Sequence, residues 1–261
     1  MGRVQDRVVI VTGGAGGIGA AACRSIASEN GKVVVADLDE TAARAVADSI
    51  VSEGGEAEAI AVDVTDRGQV RSMIQHAVDA FGQLDVIFNN AGMNRPRDFM
   101  EVDEENFDQI VRVNTWGVIV CTQEAATQMI AQGSGGKIVN TGSIAARQGF
   151  WDFTPYCVAK FGVLAVTQAS ARGLIQHGIT VNAFAPGVVD TPMWVGLNED
   201  IRAIHDQPEG ADPMREFATG TLIGRPATPE EIAPFLVYLA SPESDYMTGQ
   251  MYMVDGGQVL V

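Results

Sequence analysis

Basic charge is scarce in this sequence. Over 261 residues, 17 lysines and arginines face 33 aspartates and glutamates, a formal net charge of −16, and the lysines are only Lys32, Lys137 and Lys160. A chain this acidic repels phosphodiester backbones and anionic lipid surfaces, so neither nucleic acid nor a membrane surface is expected as a partner. Cysteine is scarce as well. Cys23, Cys121 and Cys157 are odd in number and far apart, which excludes a disulfide framework and a zinc cluster and leaves reduced core thiols. No apolar run approaches the roughly 20 residues of a membrane helix. The opening MGRVQDRVVIVTGG passes from charge straight into a strand-like run with no signal-peptide pattern, so a cytoplasmic location is expected. Repeats and low-complexity linkers are missing too. Charged side chains make up only 19% against 46% hydrophobic, the reverse of a disordered composition, and the length suffices for one large α/β domain or two small ones.

What is present is alternation. Short β-branched runs at Arg7–Thr12, Lys32–Asp37, Glu58–Val62, Leu84–Asn89, Lys137–Thr141, Thr180–Phe184 and Gln250–Val254 alternate with helix-period segments, which predicts parallel βαβ units. The runs are nearly unbroken in hydrophobicity, as strands covered on both faces should be. Asp39, Asp103 and Thr228-Pro229 with Glu231 mark helix starts. Between about 190 and 227, Pro, Gly, Asp, Met and Trp crowd together without clear period. One domain with an irregular binding flap, about 188–227, is expected.

The first strand runs into Gly13-Gly14-Ala15-Gly16-Gly17-Ile18-Gly19 and then a helix-forming stretch. Glycines here let backbone amides approach a pyrophosphate, and the helix amino end stabilises the anion. Two registers fit: Gly14, Gly16 and Gly19 as G-x-G-x-x-G, or Thr12, Gly13, Gly17 and Gly19 as T-G-x-x-x-G-x-G. Asp37 follows at the carboxyl end of the second strand. A carboxylate there accepts hydrogen bonds from the adenosine ribose and repels a 2′-phosphate, which predicts NAD over NADP.

Farther along, Asn140-Thr141-Gly142-Ser143 closes a strand and Thr154-Pro155-Tyr156-Cys157-Val158-Ala159-Lys160 opens a helix. With Thr154 as cap and Pro155 as first helical residue, Tyr156 falls in the opening turn and Lys160 one turn later on the same face. An ammonium and a helix amino end both favour the phenolate over its ordinary value near 10. Tyr156 is therefore expected to exchange a proton with an alcohol or carbonyl oxygen, with Ser143 bonded to the same oxygen.

The sequence resembles the short-chain dehydrogenase/reductase family, in its shorter subtype, over almost its whole length. The matching residues are Thr12 to Gly19, Asp63-Val64, Asn89-Asn90-Ala91-Gly92, Asn114 within VRVNTWGV, Ser143, Tyr156-x-x-x-Lys160, Pro186-Gly187 and Val254-Asp255-Gly256-Gly257. The resemblance implies a single Rossmann-type domain, a doubly wound parallel seven-stranded sheet with helices on both faces. It implies the second glycine register. It also implies cofactor contacts from Thr12, Gly13, Gly17, Ile18, Gly19, Asp37, Leu38, Asp63, Val64, Asn90, Ala91, Gly92, Tyr156, Lys160, Pro186, Gly187, Val189 and Thr191. The catalytic set would be Asn114, Ser143, Tyr156 and Lys160. Asn114, inside a long helix, would hold a water linking Lys160 to solvent. No metal is implied. A homotetramer is implied, pairing the helices around 103–132 and 154–177 and the final helix and strand.

For the substrate, the family's pocket segments point to Asn94, Arg95, Ala145, Phe153, Gly187 and Trp194, with Met93, Arg147, Gln148, Trp151, Asp190 and Met193 nearby. Such a mixture of hydrogen-bonding and aromatic side chains suits a polar small molecule, a sugar alcohol or a small diol such as butanediol. The segment GVVDTPMWVGL resembles bacterial sorbitol-type dehydrogenases. The competing readings are a 3-oxoacyl carrier-protein reductase, which would normally use NADPH and need a basic docking patch, and a nucleotide-binding protein without catalysis. The acidic charge and Asp37 oppose the former, and the presence of all four catalytic residues opposes the latter.

Overall fold

A computed structural model describes residues 2–260. Seven strands form one parallel sheet in the order β3-β2-β1-β4-β5-β6-β7: β1 Val8–Thr12, β2 Lys32–Asp37, β3 Glu56–Ala61, β4 Val86–Asn89, β5 Gly136–Thr141, β6 Ile179–Pro186 and β7 Met251–Val254. Successive side chains of a strand point to opposite faces, and here both faces are packed. Val9 and Val11 of β1 pack in the layer of α1 (Gly17–Ser28), α2 (Glu40–Ser52) and α9 (Pro229–Ala240), while Val8 and Ile10 pack in the layer of α3 (Arg67–Phe81), α5 (Gly117–Gln132) and α6 (Thr154–Leu174). The edge strand β3 departs from the expected apolar run. It begins at Glu56 and alternates glutamate with alanine, because an edge strand leaves much of its surface to water.

Chain order reverses between β1 and β4, so the loops after these neighbouring strands diverge and leave a crevice at their carboxyl ends. Thr12 fastens that point. Its hydroxyl donates to the Phe88 carbonyl (3.2 Å) and accepts from the amides of Asn90 (3.0 Å) and Ala91 (3.1 Å).

Three helix starts fall where the caps predicted them. Asp39 accepts from Ala42 N, Asp103 from Asn106 N at the head of α4 (Glu104–Val111), and Thr228 with Glu231 forms a capping box. Each such cap is worth about 1 kcal/mol. The start of α6 differs: Thr154 is already helical, Phe153 precedes it as cap, and the Thr154 hydroxyl donates to Trp151 O. Tyr156 still lies in the first turn.

The expected irregular flap is partly helical. It contains α7 (Met193–Ile204) and α8 (Pro213–Thr219). Leu197 and Ile201, four residues apart, bury one face of α7, and Asp212 caps α8. The predicted long helix around Asn114 is also interrupted. Residues Arg112–Trp116 form a π-helical turn between α4 and α5.

Candidate active site

One cavity of about 460 Å³ opens at the carboxyl end of the sheet, over the β1/β4 reversal. At its first end the α1 amino terminus faces in without a side-chain cap and without an acid in its first turn. The helices α2, α3, α4, α8 and α9 start on a capping aspartate or threonine, whereas α1 leaves its first amides to an anion. Gly13 and Gly17 hold φ of +64° and +52°, and Gly17 lies against Thr191. A Cβ on Gly19 would enter the Gly13 carbonyl, so Gly19 lets α1 pack onto the turn. A Cβ on Gly16 would meet nothing within 4 Å. This geometry selects the T-G-x-x-x-G-x-G register.

Asp37 lies beside that turn. Its carboxylate accepts from Ala15 N (3.0 Å) and Asp39 N (3.2 Å) and lines the cavity together with Leu38. Asp63, held by a hydrogen bond from Thr65 N (2.8 Å), and Val64 close the same side. Asn90 donates to the carbonyls of Thr12 and Gly13 (3.1 Å each) and accepts from the Thr141 hydroxyl. Ile18, Ala91, Gly92, Pro186, Gly187, Val189 and Thr191 also border the cavity. Thr12 and Gly19 do not reach it: both are buried and act by shaping the turn.

At the other end the cavity gathers Ser143, Tyr156, Lys160 and Asn114. Lys160 Nζ donates to the Thr141 carbonyl (2.8 Å) and lies 5.4 Å from the centre of the Tyr156 ring. The expected acidification of Tyr156 by Lys160 is not what the protein alone produces. Burial pushes the phenol up to about 12, opposed by a hydrogen bond with Ser143, and burial pushes Lys160 down to about 8. Desolvation disfavours the charged form of each group. The π turn places Asn114 so that its side-chain amide donates to Ile110 O (2.9 Å) and Met93 O (2.7 Å), while its buried Oδ1 lacks a partner in the protein. An orphaned acceptor beside the cavity is a site for water.

The substrate expectations need correction. Asn94, Ala145, Phe153, Gly187, Met93, Met193 and Trp194 line the cavity. Arg95 does not: it is exposed and bonds Gln109. Arg147 reaches the Met251 carbonyl instead, Trp151 stacks on His205, and Gln148 and Asp190 are exposed elsewhere. The sequence reading missed Leu197 and Phe217, supplied by α7 and α8. The spacing of Trp194, Leu197 and Ile201 was the available signal for an amphipathic α7. With the arginines gone, the wall around Ser143 and Tyr156 is mostly apolar, built from Ile144, Phe150, Phe153, Trp194, Leu197 and Phe217.

Among the described residues no helix is long and apolar enough to cross a membrane. The family model described as enoyl-(acyl carrier protein) reductase matches residues 13–258. The L-2,3-butanediol dehydrogenase of Corynebacterium glutamicum is 38% identical over 257 residues, 98% of this chain and 99% of that one. The sorbitol dehydrogenase of Cereibacter sphaeroides is 36% identical over 255 residues, 98% of each chain. A short-chain type dehydrogenase/reductase from Mycobacterium marinum has the same fold, with a TM-score of 0.86 at 30% identity over 99% of this chain and 97% of that one. By sequence, fold and site, the chain belongs to the short-chain dehydrogenase/reductase family, oxidoreductases that work with a nicotinamide cofactor.

Proposed function

We propose that this enzyme interconverts a small secondary alcohol and its ketone, with NAD as hydride acceptor and Tyr156 as the group that moves the proton. The observation that carries the reading is that Ser143, Tyr156 and Lys160 share one cavity with the uncapped α1 amino end and Asp37. The α1 amides, with Gly13 and Gly17, would hold the pyrophosphate, Asp37 the adenosine ribose, Asp63 and Val64 the adenine, and Lys160 the nicotinamide ribose. Among the described cavity residues the only lysine or arginine is Lys160, so nothing beside Asp37 would neutralise a 2′-phosphate. That favours NAD.

The bound nicotinamide would supply the hydride acceptor or donor. The protein's own work concerns the proton. Ser143 orients the substrate oxygen, and Tyr156 takes its proton as the C–H bond breaks, or returns one in reduction. Lys160 places positive charge beside the phenol, and a water on Asn114 would link it to solvent. The cavity bears on substrate through its apolar wall. A sugar alcohol would leave several hydroxyls unpaired there, at a cost of roughly 1–3 kcal/mol each. A vicinal diol with short apolar ends, or its hydroxyketone, fits better, in keeping with the butanediol dehydrogenase among its relatives. An acyl-carrier-protein substrate would require docking of an acidic partner on a chain that carries −16.

A panel of secondary alcohols assayed with NAD and NADP tests this. 2,3-Butanediol with NAD should outpace sorbitol and galactitol. Tyr156→Phe should lower turnover by about 10²- to 10⁴-fold while NAD affinity holds. Near-normal turnover in that variant would remove Tyr156 from the mechanism.

The same reading includes a homotetramer in the cytoplasm. Phe107, Trp116, Val158 and Phe161 leave large apolar side chains exposed along α4, the π turn and α6, which supports pairing of these helices between copies. The three cysteines are buried and unpaired, as suits a reducing compartment. Sedimentation of the purified protein checks the oligomer.

A further inference from the structure

A second, smaller cavity lies beyond the substrate wall. Its volume is about 220 Å³, and Ile201, His205, Gln207, Pro213, Glu216 and Phe217 border it. Phe217 borders both cavities. The two are strung along one face of α7: Trp194 and Leu197 face the main cavity, and Ile201, one turn after Leu197, faces the second. Phe217 therefore stands where the two cavities adjoin. It is held in place by other rings, with centroids 6.1 Å from Phe150, 5.9 Å from Phe153 and 6.2 Å from Trp194. Its helix, α8, is tied to α7 by the bond from Met214 N to Asn198 Oδ1 (3.0 Å).

We propose that Phe217 limits the length of the apolar substituent that the substrate can carry beside its reacting carbon. The inference rests on the reading of the chain as a secondary-alcohol oxidoreductase. A substituent longer than the main compartment has to displace a ring packed against three others. Shorter chains fill the compartment and gain from every methylene, each worth roughly tenfold or more in an apolar pocket. Without the ring the chambers join, and a longer chain runs along α7 past Leu197 to Ile201. Ile201, Pro213 and Phe217 supply the apolar part of the second cavity's lining, beside His205, Gln207 and Glu216, and it is along that apolar part that a hydrocarbon tail would lie.

The test is kcat/KM with NAD across the series 2-butanol to 2-nonanol, on the full chain, with thermal melts to confirm folding. In the wild type, kcat/KM should climb with chain length, pass a maximum and fall. Phe217→Ala should move the maximum by about two carbons and raise the longer members by about tenfold relative to 2-butanol. Phe217→Leu, which keeps an apolar but shorter side chain, should move it less in the same direction. If Phe217→Ala does not fold, Phe217→Leu decides alone. A maximum that stays put in the folded variants overturns the limit set by Phe217 while leaving the reaction intact. A wild type that oxidises no secondary alcohol with either cofactor overturns the underlying reading instead.

Discussion

Lys160 sits over the ring of Tyr156, its Nζ 5.4 Å from the ring centre, and gives its hydrogen bond to the Thr141 carbonyl, not to the phenol oxygen. The two groups are therefore coupled through space in a desolvated pocket. Burial is the larger influence on each, raising Tyr156 to about 12 and lowering Lys160 to about 8. Added positive charge near the phenol would favour its ionisation, and an oxidised nicotinamide would supply such charge. Ultraviolet titration of the cofactor-free protein, with Tyr156→Phe subtracted to isolate this phenol, should place its ionisation near pH 12. Saturating NAD should bring it down. A Tyr156 that titrates near neutrality without cofactor would show that Lys160 alone sets its acidity and that the desolvation argument is wrong.

Lys160 also ties stability to pH. Its folded value, about 8, lies below the ordinary 10.5, so between those limits the unfolded chain binds the proton that the folded chain has shed. Stability then rises with pH across that window, and the cost of burying the ammonium is fully present below it. Tyr156 acts in the opposite sense, since its folded value lies above 10: the stability it contributes is complete below pH 10 and is lost as pH rises through about 12. Melting temperatures of the cofactor-free protein should thus carry a rising component between pH 8 and 10 that Lys160→Met lacks. Parallel pH profiles for wild type and Lys160→Met would remove the burial cost from the account.

Asp37 combines two roles that a conservative substitution separates. Its carboxylate accepts from Ala15 N and so helps shape the turn after β1, and it lines the cavity, where under the proposed cofactor reading its charge would oppose a 2′-phosphate. Asp37→Asn keeps an acceptor and removes the charge. The preference for NAD over NADP should narrow by about tenfold, equivalent to about 1.4 kcal/mol, with little change in melting temperature. Ratios of kcat/KM for the two cofactors measure it, and an unchanged ratio assigns the selectivity to shape instead of charge.

Much of this site was legible because its parts are local. The glycine turn, Asp37 at a strand end and Tyr156 one turn before Lys160 are each set by a few consecutive residues, and parallel strands bring their ends together at the β1/β4 reversal. Three features escaped because they depend on packing across the chain. The π turn at Asn114 carries no glycine or proline to announce it, and its side chain is held by the Ile110 carbonyl and by the Met93 carbonyl 21 positions earlier. Arg95 and Arg147 sit in pocket segments by sequence yet turn outward to Gln109 and the Met251 carbonyl. Phe217 reaches the site from a helix of only seven residues, more than 50 positions beyond Tyr156, and no local period marks such a contact.

The two glycine registers share Gly19 and differ at Gly16, which only G-x-G-x-x-G requires. Gly16 has φ −154°, a conformation any residue adopts, and open space around it, so Gly16→Ala should change stability by no more than about 0.5 kcal/mol. At Gly19 a methyl would strike the Gly13 carbonyl and lie 2.8 Å from Asn90 Nδ2, the amide that bonds both Thr12 and Gly13. Backbone cannot give way as a flexible side chain does, so α1 would have to lift from the turn. Gly19→Ala should cost about 3 kcal/mol and weaken NAD binding along with it, because the same shift withdraws the α1 amides from the phosphate position. Chemical denaturation and NAD titration of both variants decide the matter. Equal tolerance at the two positions would mean that the tight turn between β1 and α1 yields more readily than its buried surroundings imply.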